Sequence, residues 1–164
     1  MITLKDYQER VLESLGDFFR LAAQTAKPDV AFREVTRRFG EVAPYIPVPA
    51  AGLGADMPYV CLRVPTGGGK TLLACHAVGL AQRQFMRAER AVVLWLVPSH
   101  TILDQTADAL RDPRHPYRRA LELACGAVEV VTIDEALHVS RATIDGQTVV
   151  IVSTIHSFRV EDTT

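Results

Sequence analysis

The chain has 164 residues, a formal net charge of -1, 48% hydrophobic residues and 23% charged residues. This length and composition predict a soluble globular fold with a sizeable core, and they exclude a disordered chain. The nearly neutral charge argues neither for nor against a nucleic-acid partner, because a basic surface could be local.

The sequence offers no secretion or membrane signal. Its first residues, MITLKDYQER, bring charges before any apolar run, and no apolar run approaches the roughly 20 residues that cross a bilayer. The cysteines, Cys61, Cys75 and Cys125, are scattered among apolar neighbours. This predicts buried, reduced thiols and no metal site formed by cysteines. We therefore expect a cytoplasmic protein with no membrane partner.

The first third of the chain is predicted to be helical and then irregular. Residues 3–26 carry apolar side chains at helical spacing, and Thr3 followed by Asp6 fits a capping box. A weaker helical pattern covers residues 28–39, where Pro28 stands at the expected first position. Residues 44–58 are rich in proline and glycine, which predicts a loop.

From residue 59 onward, strands and helices are predicted to alternate, which favours a mainly parallel α/β sheet. The hydrophobicity of residues 91–97 is continuous, so we expect that strand to be covered on both faces. The predicted strands are 59–64, 91–97, 127–133 and 147–153, and the predicted helices are 70–86, 99–111 and 116–124.

A glycine-rich loop, VPTGGGKT at residues 64–71, lies between the first of these strands and the helix that follows it. Glycines allow positive φ angles and a close approach of backbone N–H groups to phosphate, and the helix N-terminus adds partial positive charge. Lys70 would reach the β- and γ-phosphates, and the hydroxyl of Thr71 would bind Mg²⁺. The alternative is a flexible surface turn before a helix. The nucleotide-binding residues predicted here are Thr66, Gly67, Gly68, Gly69, Lys70 and Thr71, with Lys70 also assigned as catalytic.

The general phosphate-loop pattern has a glycine where this chain has Val64. The segment PTGGGKT resembles motif I of superfamily 2 helicases, where that earlier glycine is often absent. Residues 4–8, LKDYQ, resemble the upstream glutamine motif of that superfamily. This resemblance implies that Gln8 hydrogen-bonds the adenine edge, with Tyr7 nearby. The alternative is that Gln8 is an ordinary residue on a solvated helix face.

Residues 96–105, LVPSHTILDQ, resemble motif Ia, whose loop contacts the backbone of the bound nucleic-acid strand. This resemblance implies phosphate contacts from Ser99 and His100, with Thr101 as a further candidate donor, because hydroxyls and helix N-terminal amides suit such contacts. An N-terminal cap formed by Thr101 with Asp104 is the structural alternative, and the two roles can coexist.

Residues 149–158, VVIVSTIHSF, resemble motif Ib, which implies a phosphate contact from Thr154. Together the motifs are most similar to the helicase (Res) subunit of type III restriction enzymes, a DEAD/DEAH-type relative. This resemblance implies an incomplete three-layer α/β P-loop NTPase fold of the RecA-like type, with a mainly parallel sheet and added N-terminal helices. Residues 1–58 would comprise the N-terminal helices, which carry the glutamine motif, and an insertion. Residues 59–164 would be the first part of the RecA-like ATPase lobe.

The resemblance also implies a function. The chain would be the ATP-binding portion of a helicase or translocase that uses ATP and Mg²⁺ and contacts a DNA or RNA backbone. Its second RecA-like lobe would be absent from this chain, and a nuclease or modification subunit would be a further partner. We expect the chain alone to bind nucleotide and to hydrolyse it poorly. A non-hydrolytic nucleotide-binding partner module and a P-loop kinase or signalling NTPase are the alternatives.

Asp134 and Glu135, in VVTIDEALH, almost spell the acidic motif that such an ATPase needs for Mg²⁺ and the attacking water. Three features oppose this assignment: the histidine comes one residue late, the separation from Lys70 is short, and the next strand follows soon. Thr132 with Glu135 also fits a capping box. Both interpretations stay open at this point.

Overall fold

The computed structural model describes residues 3–40, 44–47 and 54–158. The chain divides into two compact units, Met1–Arg87 and Ala88–Thr164. The glycine loop belongs to the first unit, and every strand of the described residues belongs to the second. The predicted division between residues 58 and 59 stays a prediction. In the part of the chain that the structure describes, no helix is long and apolar enough to cross a membrane.

Helices α1 (Asp6–Thr25), α2 (Pro28–Thr36) and α3 (Lys70–Leu80) build the first unit, close to where the sequence predicts them. A short 3-10 turn, Arg37–Phe39, continues α2, and a π-helical segment, Ala81–Met86, continues α3. The apolar faces of these helices share one core because each side chain gains by leaving water. Its buried members are Leu15, Phe18, Ala22 and Ala31.

The start of α1 differs from the predicted cap. The helix begins at Asp6 after Lys5, and the side-chain oxygen of Gln8 accepts the N–H of Lys5 at 2.9 Å. The predicted Thr3–Asp6 capping box is therefore wrong. Gln8 reaches back one turn and satisfies an N–H group that would otherwise lack a partner within the helix.

The predicted strand at residues 59–64 is also absent, since these described residues form no regular element. Tyr59 and Leu62 are 56% and 39% exposed, and Cys61 is exposed as well. A strand is held by hydrogen bonds to a neighbouring strand. The described residues of the first unit include no other strand that could provide them.

The second unit contains a three-stranded sheet in the order β1–β3–β2, with both pairs parallel. Its strands are β1 (Val92–Val97), β2 (Val128–Thr132) and β3 (Thr148–Thr154). The central strand β3 is almost completely buried, as its run of β-branched apolar residues predicts. The predicted α/β class with a parallel sheet is confirmed.

Helices α4 (His100–Arg111) and α5 (Pro116–Cys125) connect β1 to β2, and the short helices α6 (Ile133–Ala136) and α7 (Arg141–Gly146) connect β2 to β3. Buried leucines and alanines of α4 and α5 cover the sheet. The core of this unit includes Leu103, Ala107, Leu110, Leu121, Ala124, Val130, Val150 and Val152.

Arg118 on α5 fixes the connection between α4 and β2. Its guanidinium donates to the carbonyl oxygens of Leu110 (3.3 Å) and Val128 (2.8 Å) and pairs with Glu122 at 2.7 Å. Only 15% of this side chain is exposed. These hydrogen bonds satisfy carbonyl groups at the end of α4 and the start of β2.

Two further expectations about burial need correction. Val92, Leu94 and Leu96 of β1 are 46–52% exposed, so the described helices leave one face of this strand uncovered instead of covering both faces. Of the three cysteines, Cys75 is buried, Cys125 is intermediate and Cys61 is exposed, so the prediction of three buried thiols is wrong for Cys61. Cys61 lies in the segment at residues 59–64 that was predicted to form a strand.

Candidate functional site

The glycine loop has a backbone conformation that requires glycine. Gly67 and Gly69 have φ angles of 76° and 80°, in the left-handed region that other residues adopt only at a cost. A Cβ atom on Gly68 would lie 2.5 Å from Cγ1 of Val64 and 2.9 Å from the carbonyl oxygen of Pro65. The run of three glycines therefore meets a geometric requirement at each position.

The loop turns tightly and leads directly into α3. The N–H of Gly68 donates to the carbonyl oxygen of Pro65 at 2.9 Å, and α3 begins at Lys70. Lys70 is exposed, and its ammonium donates to the same Pro65 carbonyl at 3.3 Å. Thr66 is exposed, while Thr71 is half-buried in the first turn of α3. The loop thus places a cation, a hydroxyl and the N-terminus of α3 together.

Gln8 is anchored on this loop from the first turn of α1. Its amide nitrogen donates to the carbonyl oxygen of Gly68 at 3.0 Å, and its amide oxygen accepts from Lys5. Only 5% of Gln8 is exposed, so the alternative of a solvated helix face is wrong. Its neighbour Tyr7 donates from its hydroxyl to the same Gly68 carbonyl at 2.8 Å. The glutamine motif and the glycine loop therefore form one cluster.

The residues predicted to contact nucleic acid lie near one edge of the sheet in the second unit. Val97 at the end of β1 pairs with Thr154 at the end of β3, so the segments that follow both strands leave from the same carboxyl edge. Ser99 and His100 are exposed at the start of α4. In open parallel sheets, ligands bind beyond the carboxyl ends of the strands.

The cap of α4 is Ser99, whose side-chain oxygen accepts the N–H of Ile102 at 3.4 Å. The Thr101–Asp104 cap is therefore wrong, because the helix begins at His100, before Thr101. Thr154 is 1% exposed, and its hydroxyl pairs with that of Ser157 at 2.9 Å. A phosphate contact from Thr154 would require a change in this segment, and it stays a prediction.

Glu135 has the geometry of a helix cap. Its carboxylate accepts the N–H of Thr132 at 2.7 Å in the capping box that begins α6, and it also pairs with Arg111 on α4. The hydrogen bond from the Thr132 backbone is the main reason that the pKa of Glu135 lies below its usual value, and Arg111 adds to it. Asp134, its exposed neighbour, lies in the first turn of the same short helix.

Comparison with known families decides which group the chain resembles as a whole. A family model described as the type III restriction enzyme, res subunit, matches residues 1–163. The chain belongs to this family. The predicted resemblance is therefore confirmed, and so is a RecA-like α/β fold, since the family is a P-loop helicase domain. No curated protein and no solved structure gives a significant match.

Membership in the type III restriction Res family implies a helicase-type ATPase domain with nucleic acid as a partner. The amino-acid sequence alone does not reveal two contacts of this domain. The sequence places Tyr7 beside Gln8 but does not indicate its bond to Gly68. Arg111 and Glu135 are 24 residues apart, which is no spacing of a helix or a strand. Contacts over such separations depend on the fold and leave no local pattern.

The capping role of Glu135 leads to a test on stability. We expect Glu135→Ala to lower the free energy of unfolding by about 0.5–1.5 kcal/mol, because the Thr132 N–H and Arg111 lose their acceptor. Its ion pair is half-exposed and adds little to this figure. Asp134→Ala is the matched control and should change the value by less than about 0.5 kcal/mol. Urea unfolding of both variants measures the difference, and equal losses would contradict the capping role.

His76 on α3 gives the first unit a pH dependence. Burial, and then the positive charge of Arg83, lower the pKa of His76 from its ordinary value of 6.5. The unfolded chain therefore binds a proton that the folded chain resists, so stability should fall as the pH drops from 6.5 towards the folded pKa. We measure the free energy of unfolding by urea at about pH 7.5 and about pH 5.5. It should fall less between these pH values in His76→Gln than in the wild type. An equal fall in both proteins would contradict this cause.

Proposed function

We propose that this chain is the ATP-binding portion of a nucleic-acid-dependent ATPase, a helicase or translocase of the restriction or defence type. One observation carries the proposal: a loop with glycines in the left-handed region leads into a helix that opens with Lys70 and Thr71, and Gln8 is bonded to that loop. Family membership supports the same class of activity.

The phosphates of ATP would bind over the loop and the N-terminus of α3. The first N–H groups of a helix have no partners inside the helix, and its dipole favours negative charge there. Lys70 holds its ammonium against the Pro65 carbonyl at 3.3 Å, and an anionic phosphate is a stronger acceptor than a carbonyl oxygen. We therefore expect Lys70 to exchange this bond for the β- and γ-phosphates.

Thr71 would provide the protein's ligand to Mg²⁺. Its hydroxyl lies in the first turn of α3, one residue after Lys70. A single protein oxygen suits this ion, because Mg²⁺ keeps several waters and takes further ligands from phosphate. When bound, the ion would neutralise charge on the phosphate oxygens.

Adenine recognition by Gln8 is supported by the bonding capacity of its side chain. An amide has two donor hydrogens and two acceptor lone pairs, and the bonds to Gly68 and Lys5 use one of each. One donor and one acceptor therefore remain, which match the N7 acceptor and the N6 donor of adenine. Only 5% of Gln8 is exposed, so this contact would require the side chain to become accessible when the base binds. Guanine presents an acceptor in place of that donor, so we expect ATP to bind more tightly than GTP.

Hydrolysis would need groups that this cluster lacks. Glu135 is committed to Thr132 and Arg111, which favours its role as a cap over a role in orienting water. The catalytic assignment of Asp134 and Glu135 remains the alternative. We expect the chain alone to bind ATP with little turnover. In the proposed whole enzyme, a second RecA-like lobe would complete the catalytic site and a nuclease or modification subunit would be a partner.

The nucleic-acid backbone would contact the carboxyl edge of the sheet in the second unit. Ser99 and His100 support this placement, since both are exposed at the N-terminus of α4, where N–H groups and a hydroxyl can meet phosphate. Thr154 would join them only after its hydroxyl leaves Ser157. DNA and RNA present the same phosphates, so these contacts do not discriminate between them.

Calorimetric titration of the chain with Mg²⁺-ATP, combined with anisotropy of a labelled single-stranded oligonucleotide, tests this proposal. We expect saturable binding of ATP and salt-dependent binding of the oligonucleotide. ATP binding without any oligonucleotide binding would favour the non-hydrolytic partner module. Transfer of the γ-phosphate to an acceptor other than water would favour the kinase class, and absence of ATP binding would overturn the proposal.

A further inference from the structure

We infer that Tyr7 is a positioning residue that fixes the glycine loop for phosphate binding, independently of the base-recognising role of Gln8. This inference rests on the proposed ATP-binding function. It adds Tyr7 to the residues that serve the phosphate-binding part of the site. The observation behind it is the hydrogen bond of 2.8 Å from the Tyr7 hydroxyl to the carbonyl oxygen of Gly68.

Two donors from one helix turn converge on this single carbonyl. Adjacent helix residues point about 100° apart, so their side chains do not ordinarily meet. Tyr7 and Gln8 nevertheless both reach the Gly68 oxygen, at 2.8 Å and 3.0 Å. A carbonyl oxygen has two lone pairs, and both are used here. The Gly68 carbonyl, part of a buried residue, is therefore held firmly towards α1.

Fixing this carbonyl also fixes an N–H group of the glycine loop. In a planar trans peptide, the carbonyl of one residue and the N–H of the next point in opposite directions. The Gly69 N–H must therefore point away from α1 while the Gly68 carbonyl points towards Tyr7. Gly69 has a φ of 80°, a conformation that glycine readily leaves unless it is held. The Tyr7 hydroxyl thus stabilises one orientation of a phosphate-binding amide.

Tyr7 and Gln8 hold the carbonyl in different ways. The Tyr7 hydroxyl has one hydrogen, and it is given to Gly68. Gln8 also accepts from the Lys5 N–H and has one donor and one acceptor left for a base. Tyr7 therefore keeps the loop in place while Gln8 engages the nucleotide, and its loss should weaken every ligand that carries the phosphate chain.

The test measures the affinity of three ligands for the 164-residue chain: Mg²⁺-ATP, Mg²⁺-GTP and Mg²⁺-tripolyphosphate. Tyr7→Phe removes only the hydroxyl, and we expect it to weaken all three by the same factor of about three- to tenfold, the scale of one lost hydrogen bond. The ratio of ATP to GTP affinity should not change. Tyr117→Phe, which removes a hydroxyl from the second unit, is the matched control and should behave as the wild type.

Each other outcome decides against the inference. Unchanged affinities in Tyr7→Phe would show that the hydroxyl does not position the loop. A loss for ATP alone would place Tyr7 at the base and would also overturn it. Should urea unfolding show that Tyr7→Phe is unfolded at the assay temperature, the hydroxyl is structural and the inference fails. Absence of binding by the wild type would overturn the proposed function as well, which distinguishes the two failures.

Discussion

Lys70→Ala should reduce the affinity of the chain for Mg²⁺-ATP by roughly ten- to a hundredfold, because a charge-assisted hydrogen bond to phosphate is lost. Lys70 is exposed, and within the described residues its ammonium donates to the carbonyl of Pro65. The substitution should therefore leave the free energy of unfolding within about 0.5 kcal/mol of the wild type. Calorimetric titration gives the affinity and urea unfolding gives the stability.

Lys27→Ala is the control for this result. Lys27 is another exposed lysine of the first unit, and it lies just before α2, away in sequence from the glycine loop. Both variants lose one positive charge, so a general electrostatic effect would weaken ATP binding in each. Unchanged ATP affinity in Lys70→Ala, or an equal loss in Lys27→Ala, would contradict a phosphate-binding role for Lys70.

Gly69→Ala should be the most damaging single change in the loop. Alanine at a φ of 80° costs about 1–2 kcal/mol in backbone strain. Its Cβ atom would also lie 2.5 Å from the amide nitrogen of Gln8, which is buried and would have to leave the Gly68 carbonyl. We therefore expect both the free energy of unfolding and the ATP affinity to fall.

Gly67→Ala separates these two causes. Its φ of 76° is almost the same, so alanine there has similar strain, but no atom of the described residues lies within 4 Å of the added Cβ. The extra loss in Gly69→Ala over Gly67→Ala, measured by urea unfolding and by ATP titration, then reports the displacement of Gln8. Equal losses in both variants would mean that the contact between Gln8 and the loop contributes nothing measurable.

The sequence predicts the elements of this fold well and their surroundings less well. The bounds of α1 and α4 follow from helical periodicity, and those of β3 follow from a continuous apolar run. Both patterns depend on the residues of the element itself. The segment at residues 59–64 has the same apolar character as a strand, but a strand also needs a neighbour. No local pattern contains that information, so the prediction failed there.

The candidate site shows the same division. Three successive glycines predict a strained turn, and the φ angles of Gly67 and Gly69 match it. Whether Gln8 faces water or the loop depends on how α1 packs, and its 5% exposure follows from a contact across 60 residues. The burial of Thr154 also depends on packing. The sequence marks the end of a strand there, but the packing decides which way the Thr154 hydroxyl points.

The most direct test of the central claim, that the glycine loop binds the phosphates of ATP, is an NMR titration of the isotope-labelled chain with Mg²⁺-ATP. We predict that the backbone amide signals of Gly67, Gly68, Gly69, Lys70 and Thr71 shift with one saturable affinity, together with the side-chain amide of Gln8. Signals that stay unchanged at saturating ATP, or shifts confined to other parts of the chain, would contradict the assignment of this loop as the nucleotide site.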